Sequence, residues 1–220
     1  QDVFGISPRN IEQRIALDLL MNDNIKLVSL IGKAGTGKTL LAIAAGLAKT
    51  TQNGFEKMLV SRPVFPMGRD IGYLPGDVDE KLRPWMQPIY DNLELILSLG
   101  DPSKAKNYKK RMDDLFNMGI IEVEPLTYIR GRSIPKQYLI VDEAQNLTRL
   151  EIKTIISRAG EGTKIILTGD PYQIDQPYLD ATNNGLVYVV EKLKDEGLTG
   201  SVTLRRGERS GLAQVAADKL

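Results

Sequence analysis

Residues 32 to 39 read Gly-Lys-Ala-Gly-Thr-Gly-Lys-Thr, and this octet limits the possible folds more than any other stretch. It fits the pattern G-x-x-x-x-G-K-[ST]. Glycines let a backbone wrap closely enough for successive N–H groups to point at one anion. A helix that starts straight after adds its positive end. Both flanks agree, with an apolar strand at Lys26 to Ile31 and an Ala- and Leu-rich helix at Leu40 to Lys49. A chance glycine turn is the competing reading, and the flanks argue against it. The reading is a phosphate cradle built from Gly32, Lys33, Ala34, Gly35, Thr36, Gly37, Lys38, Thr39 and Leu40. Lys38 is expected to reach the outer phosphates. The Thr39 hydroxyl is expected to ligate Mg²⁺, a cation that takes oxygen ligands.

A second strand, Tyr138 to Val141, ends in Asp142 and Glu143. Two acids at the end of a buried strand are costly unless a cation meets them. In P-loop enzymes the first such acid holds Mg²⁺, which gives Asp142 that place. Glu143 is then the residue that orients or deprotonates the attacking water. The chain has no histidine to compete for this work, and histidine is otherwise the commonest general base. A helix-capping acid pair is the other reading of these two residues. A third strand, Lys164 to Thr168, leads into Gly169-Asp170-Pro171-Tyr172-Gln173. Gln173 could bond both a terminal phosphate and water; taken alone, the segment reads equally as an Asp-Pro turn.

Further strands are predicted at Lys57 to Ser61, Ile120 to Val123 and Val202 to Leu204. Helices are predicted at Asn10 to Leu20, Pro88 to Leu99, Arg149 to Arg158 and Leu212 to Leu220. Ser7 is the expected cap of the first helix, and Ile11, Ile15, Leu19 and Leu20 its apolar face. The alternation of strand and helix predicts an α/β, RecA-like P-loop fold: a central, mostly parallel sheet flanked by helices. All 220 residues form one domain, with about 64–118 as an inserted Pro- and Gly-rich region. The basic segment from Lys104 to Arg111 reads as a solvated helix face.

Composition narrows the chemistry. There is no cysteine, so disulfides and thiolate metal sites are excluded. Charge is balanced, 29 basic against 28 acidic residues, so nucleic-acid contact has to come from local patches. No apolar run approaches the roughly 18 residues of a membrane span, and no signal-peptide pattern opens the chain. The expectation is a soluble, cytoplasmic protein. A first residue of Gln1 instead of Met fits a piece of something longer.

Taken together, the chain resembles the PhoH family of P-loop ATPases, in the form found at the carboxyl end of PIN–PhoH fusions. The likeness rests on Ile6 to Gln13, Gly32 to Thr39, Ser61-Arg62-Pro63, Gly72 to Asp77, Arg130 to Ser133, Val141 to Asn146, Gly169 to Gln173 and Gly207 to Ser210. It implies a lobe like the first RecA-type lobe of superfamily 1 helicases. Gln13 then reads the adenine edge, Asp142 and Glu143 are the Walker B pair, and Gln173 is the motif III glutamine. It also implies ATP and Mg²⁺ as ligands, single-stranded RNA as partner, and ATP hydrolysis coupled to RNA unwinding or translocation. Nuclease activity is not expected, because it belongs to a PIN domain. With no second lobe in the chain, an arginine has to come from elsewhere, and a hexameric ring of identical subunits could supply it. Arg209 is the first candidate and Arg206 the second, although Arg209 alone also reads as a surface arginine at a helix start.

Arg62, Arg69, Arg130 and Arg132 follow strands or lie in the excursion, and are the candidate RNA contacts. Tyr73, Trp85 and Tyr128 are candidate stacking aromatics. Two other readings stay open: a nucleotide-dependent switch without turnover, and a P-loop small-molecule kinase.

Overall fold

The structure is a computed structural model, and it describes residues 2–52, 54–63, 78–99, 107–129 and 131–207. Arg69, Tyr73, Arg130, Arg209, most of the expected Pro- and Gly-rich loop and the helix expected at Leu212 to Leu220 lie outside the described residues.

Six strands form one sheet: β1 (Leu27–Gly32), β2 (Lys57–Arg62), β3 (Ile121–Pro125), β4 (Gln137–Val141), β5 (Lys164–Gly169) and β6 (Thr199–Leu204). Their order is β3-β2-β4-β5-β1-β6, and every strand pairing among the described residues is parallel. The central strands are apolar runs because helices cover both faces. Successive side chains on each strand divide between two cores. Val28, Leu30, Met58, Val60, Tyr138, Ile140 and Ile166 face one core. Leu27, Leu59, Leu139, Val141, Ile165 and Leu167 face the other. This is the two-residue period of a strand.

On the first face lie α1 (Ile11–Met21), α2 (Lys38–Thr51), α3 (Val78–Leu99) and α4 (Tyr108–Asn117). On the second lie α5 (Leu126–Ile129), α6 (Arg149–Ile156) and α7 (Gly185–Leu193). The first helix differs from expectation in two ways. Its cap is Asn10, whose Oδ1 accepts the Gln13 N–H at 2.9 Å; Ser7 instead donates to Asp2. Its inward stripe is Gln13, Ala16, Leu17 and Leu20, whereas Ile11 and Ile15 are exposed. Alanine at 16 and glutamine at 13 drew no attention as core residues, yet their spacing with Leu17 and Leu20 is helical.

The third helix begins ten residues before the expected Pro88 and contains both Pro84 and Pro88. Proline removes an internal N–H donor and ordinarily ends a helix. Here Met86, Ile89, Leu93, Ile96 and Leu97 are all buried on one face. Burying five such side chains, at about 1.5–3 kcal/mol each, outweighs the local penalty.

Lys164, at the start of β5, is 1% exposed. Its Nζ donates to the carbonyls of Leu19 and Asn22, both at 2.7 Å, so it caps the carboxyl end of α1. Burial brings its pKa down from 10.5 to about 8. The unfolded chain therefore holds a proton that the folded chain has released between those values, and stability rises with pH there. Between pH 8 and 9.5 the gain in unfolding free energy is about 2 kcal/mol. The window ends below the ordinary range of tyrosine, because Tyr138 is buried and resists ionisation. Urea titrations of the protein and of Lys164→Met check this: the rise is expected in the first and absent in the second.

A candidate nucleotide site at the carboxyl edge of the sheet

A parallel sheet gathers its strand ends on one edge, and ligands of open α/β folds bind there. The strand order sets β5 between β1 and β4, with β2 on the far side of β4. The loop after β1, Thr168 of β5, the acids after β4 and Arg62 of β2 therefore form one row.

The loop from Gly32 to Gly37 ends in a left-handed Gly37 (φ 91°) that makes no side-chain cap on α2. The first N–H groups of α2 are thus left for an anion. Gly32 has φ 156°, and a Cβ there would fall 2.3 Å from the Leu204 carbonyl oxygen. Both atoms belong to backbone fixed by the β1–β6 register, so neither yields cheaply. Gly32→Ala is expected to cost roughly 2–5 kcal/mol of stability from overpacking and strain. Denaturant unfolding checks it, and an unchanged midpoint would contradict the account of this turn.

Lys38 Nζ donates to the carbonyls of Gly32 (2.5 Å) and Lys33 (2.9 Å), so it lies across the loop. The Thr39 hydroxyl donates to Asp142 Oδ1 at 2.9 Å, and Thr168 donates to the same oxygen at 2.5 Å. Asp142 is 4% exposed. Thr39 and Asp142 thus offer an oxygen-only donor set, which fits Mg²⁺ held by few protein ligands beside phosphate and water.

Glu143 sits in a left-handed conformation, φ 55° and ψ 38°, which an ordinary side chain adopts at a cost. The bend turns its carboxylate out of the strand line. Gln145 Nε2 donates to Glu143 Oε2 at 2.5 Å, and an Arg62 guanidinium nitrogen lies 3.2 Å from Oε1. Burial, then the neighbouring Asp142 carboxylate, holds Glu143 above its ordinary pKa; Gln145, Arg62 and Lys38 pull it down. A carboxylate raised in this way is a better proton acceptor near neutral pH.

Gln13 is placed against the cradle. Its Nε2 donates to the Thr36 carbonyl at 3.0 Å, its Oε1 accepts the Arg9 N–H at 2.9 Å, and it is 5% exposed. It braces the loop from α1. Gln173 is exposed, with its N–H on the Asp170 carbonyl at 3.0 Å. The Tyr172 N–H meets Asp170 Oδ1 at 3.1 Å, so the segment is also the Asp-Pro turn that its sequence allowed.

Two residues without an expected role complete the site. Gln145, fully buried, bonds Glu143, the Asp170 N–H and the Gln173 carbonyl. Asn146 holds the N–H groups of Asp175 and Gln176 through its Oδ1. Together they pin the loop after β5 to the acids. The available signal was an amide pair, Gln145-Asn146, one residue after the acid pair; once buried, each amide has to be used.

The candidate RNA arginines separate. Arg62 turns inward: its side chain is 19% exposed and lies beside Asp142 and Glu143. Of the described candidates, it is the one whose guanidinium meets the acid pair. Arg132 pairs with Glu124 at 2.9 Å and stays 46% exposed. Arg206 is exposed just past β6, beyond the strand partner of Gly32. Trp85 is half-buried, and Tyr128 is exposed on α5. No helix among the described residues is long and apolar enough to cross a membrane.

The chain is similar in sequence to proteins already known. Protein PhoH2 of Bacillus subtilis (strain 168) is 58% identical over 221 residues, covering 100% of this chain and 49% of that protein. Protein PhoH2 of Mycolicibacterium smegmatis is 42% identical over 222 residues, covering 100% and 48%. The chain therefore spans about half the length of these curated relatives. Among solved structures, the Pif1 helicase from Candida albicans matches with a TM-score of 0.45 at 16% identity, covering 97% of this chain and 43% of that one. The family model described as PhoH-like protein matches residues 5–217. A nucleotide cradle, an acid pair beside it and a family match over almost every residue lead to one statement: this chain is a P-loop nucleotide-binding domain that belongs to the PhoH-like family.

Proposed function

We propose that the domain hydrolyses ATP with Mg²⁺ and serves as the motor part of a machine that moves along or unwinds single-stranded RNA. One observation carries the hydrolysis: the Thr39 hydroxyl meets Asp142 at 2.9 Å, with Glu143 next in the chain. The cradle and the acids are thus one site. Thr39 and Asp142 hold the metal, which when bound offsets negative charge on the phosphates. Lys38 and the first N–H groups of α2 bind the phosphates. Glu143 takes the proton of the attacking water. Gln145 fixes the Glu143 carboxylate and the loop that carries Gln173. Gln173 is then set to report whether the terminal phosphate is present. Gln13, which meets the cradle at the Thr36 carbonyl, is the residue proposed to read the adenine edge.

The RNA part rests on the family resemblance and on the basic side chains at this edge, of which Arg132 and Arg206 are exposed. A homo-oligomeric ring, with Arg206 or Arg209 reaching a neighbouring subunit's phosphates, supplies the charge that one lobe lacks. An amino-terminal PIN domain in the longer protein belongs to the same proposal.

Phosphate release from Mg²⁺-ATP, measured with and without single-stranded RNA, tests both halves. Release that RNA accelerates supports the whole reading. Release that ignores RNA leaves an ATPase and removes the motor. A folded protein that releases no phosphate in either case refutes hydrolysis.

A further inference from the structure

Arg62 has three partners on two elements. One guanidinium nitrogen donates to the Trp85 carbonyl of α3 at 2.8 Å. The other donates to Glu143 Oε1 at 3.2 Å, and Nε lies 3.8 Å from Asp142 Oδ2. From this geometry we infer that Arg62 is a positioning residue that couples the acid pair to α3, so that occupation of the nucleotide site is felt at Trp85. The inference rests on the proposed nucleotide site and gives it an output.

The physical reason is competition for the same oxygens. Arg62 forms ion pairs with both Asp142 and Glu143, with Lys38 also acting on Glu143 from the loop, and its side chain is 19% exposed. A divalent cation held by Asp142 would compete with the guanidinium for the carboxylate and oppose its charge. The guanidinium then shifts, and its rigid planar fork cannot keep all three partners at once. The Trp85 carbonyl is the one of these partners that lies on α3. It sits on a helix with two internal prolines, whose inner face is anchored by Met86, Ile89 and Leu93. Asp142 and Glu143 are held from the other direction by Thr39, Thr168 and Gln145. Displacement of Arg62 is therefore passed to α3 rather than absorbed by the acids.

Trp85 is the only tryptophan in the chain, so the emission comes from one place on α3, and Arg62 variants decide whether a change there runs through this link. The full chain is titrated with Mg²⁺ and a non-hydrolysable ATP analogue, with affinity taken separately by calorimetry. The wild type should show a Trp85 change that saturates along the calorimetric curve. Lysine keeps the charge but presents one point donor in place of a fork, so Arg62→Lys should bind within about threefold and lose at least about four-fifths of the fluorescence change. A full response in Arg62→Lys, or a wild type that binds without any response, overturns the inference. A second arm needs no nucleotide: Glu143→Gln should shift Trp85 emission in the wild-type background and leave it unmoved in the Arg62→Lys background. A wild type that fails to bind the analogue refutes the nucleotide site. The second arm then decides the Arg62 link by itself, and equal shifts in both backgrounds sink it.

Discussion

Glu143→Gln is expected to lower ATP turnover by roughly 10²- to 10⁴-fold, the range for loss of a positioned general base. The amide matches the carboxylate in shape but cannot accept the proton. Affinity for the nucleotide should stay within about threefold, because the cradle and Asp142 are untouched and uniform binding is retained. The substitution also changes the Gln145 contact at 2.5 Å, now amide to amide. One of the two amides can turn its oxygen to accept, so the fold should survive. Single-turnover phosphate release beside calorimetry separates the outcomes. A variant that hydrolyses at the wild-type rate removes Glu143 from the chemistry and favours a different water-activating group. A wild type with binding and no turnover favours the switch reading, and label from the γ phosphate on a small acceptor favours the kinase.

Lys38→Ala is expected to weaken ATP binding by roughly 10- to 150-fold, the loss of one hydrogen bond to a charged partner worth about 1.5–3 kcal/mol. Its ammonium spans two loop carbonyls 2.5 and 2.9 Å away. Lys33 is exposed and its carbonyl can meet water, whereas Gly32 is buried, so the loss of stability should not exceed about 1–3 kcal/mol, that of one unmet acceptor. A calorimetric titration with a thermal melt distinguishes a binding defect from a folding defect. Unchanged affinity in the variant would mean that the loop does not hold phosphate through this side chain.

Some elements of the fold were legible because local chemistry and tertiary setting agree. The four central strands, β1, β2, β4 and β5, are short apolar runs closed by Gly, Pro or an acid, and helices cover both faces of the sheet, so nothing contradicts the local signal. The cradle was equally legible, because its function is a backbone shape that only glycines at fixed spacing permit. Misreadings arose where packing overrode local preference. Pro84 and Pro88 argued for a helix that starts late, and the buried stripe from Met86 to Leu97 carried it through both prolines. Ile11 and Ile15 looked like a core face, and the sheet took the stripe containing Gln13 instead. Gln145 was invisible as a keystone because its partners are Glu143 and residues 170 and 173, which lie 25 and 28 positions away.

By itself, then, the sequence determined which groups the chain carries and in what local geometry: a glycine turn, an apolar strand tipped with two acids, a lysine and a threonine at the first turn of a helix. Those features depend on residues within a few positions of one another, and short-range sterics and hydrogen bonding decide them. Only the tertiary structure decided which groups share a site. The order β2-β4-β5-β1 brings Arg62, Asp142, Thr168 and Thr39 together although they are spread over 130 positions. It set Arg62, a candidate RNA contact, against the acids. Strand order is settled by how two cores close around one sheet, and no single stretch of sequence contains that balance.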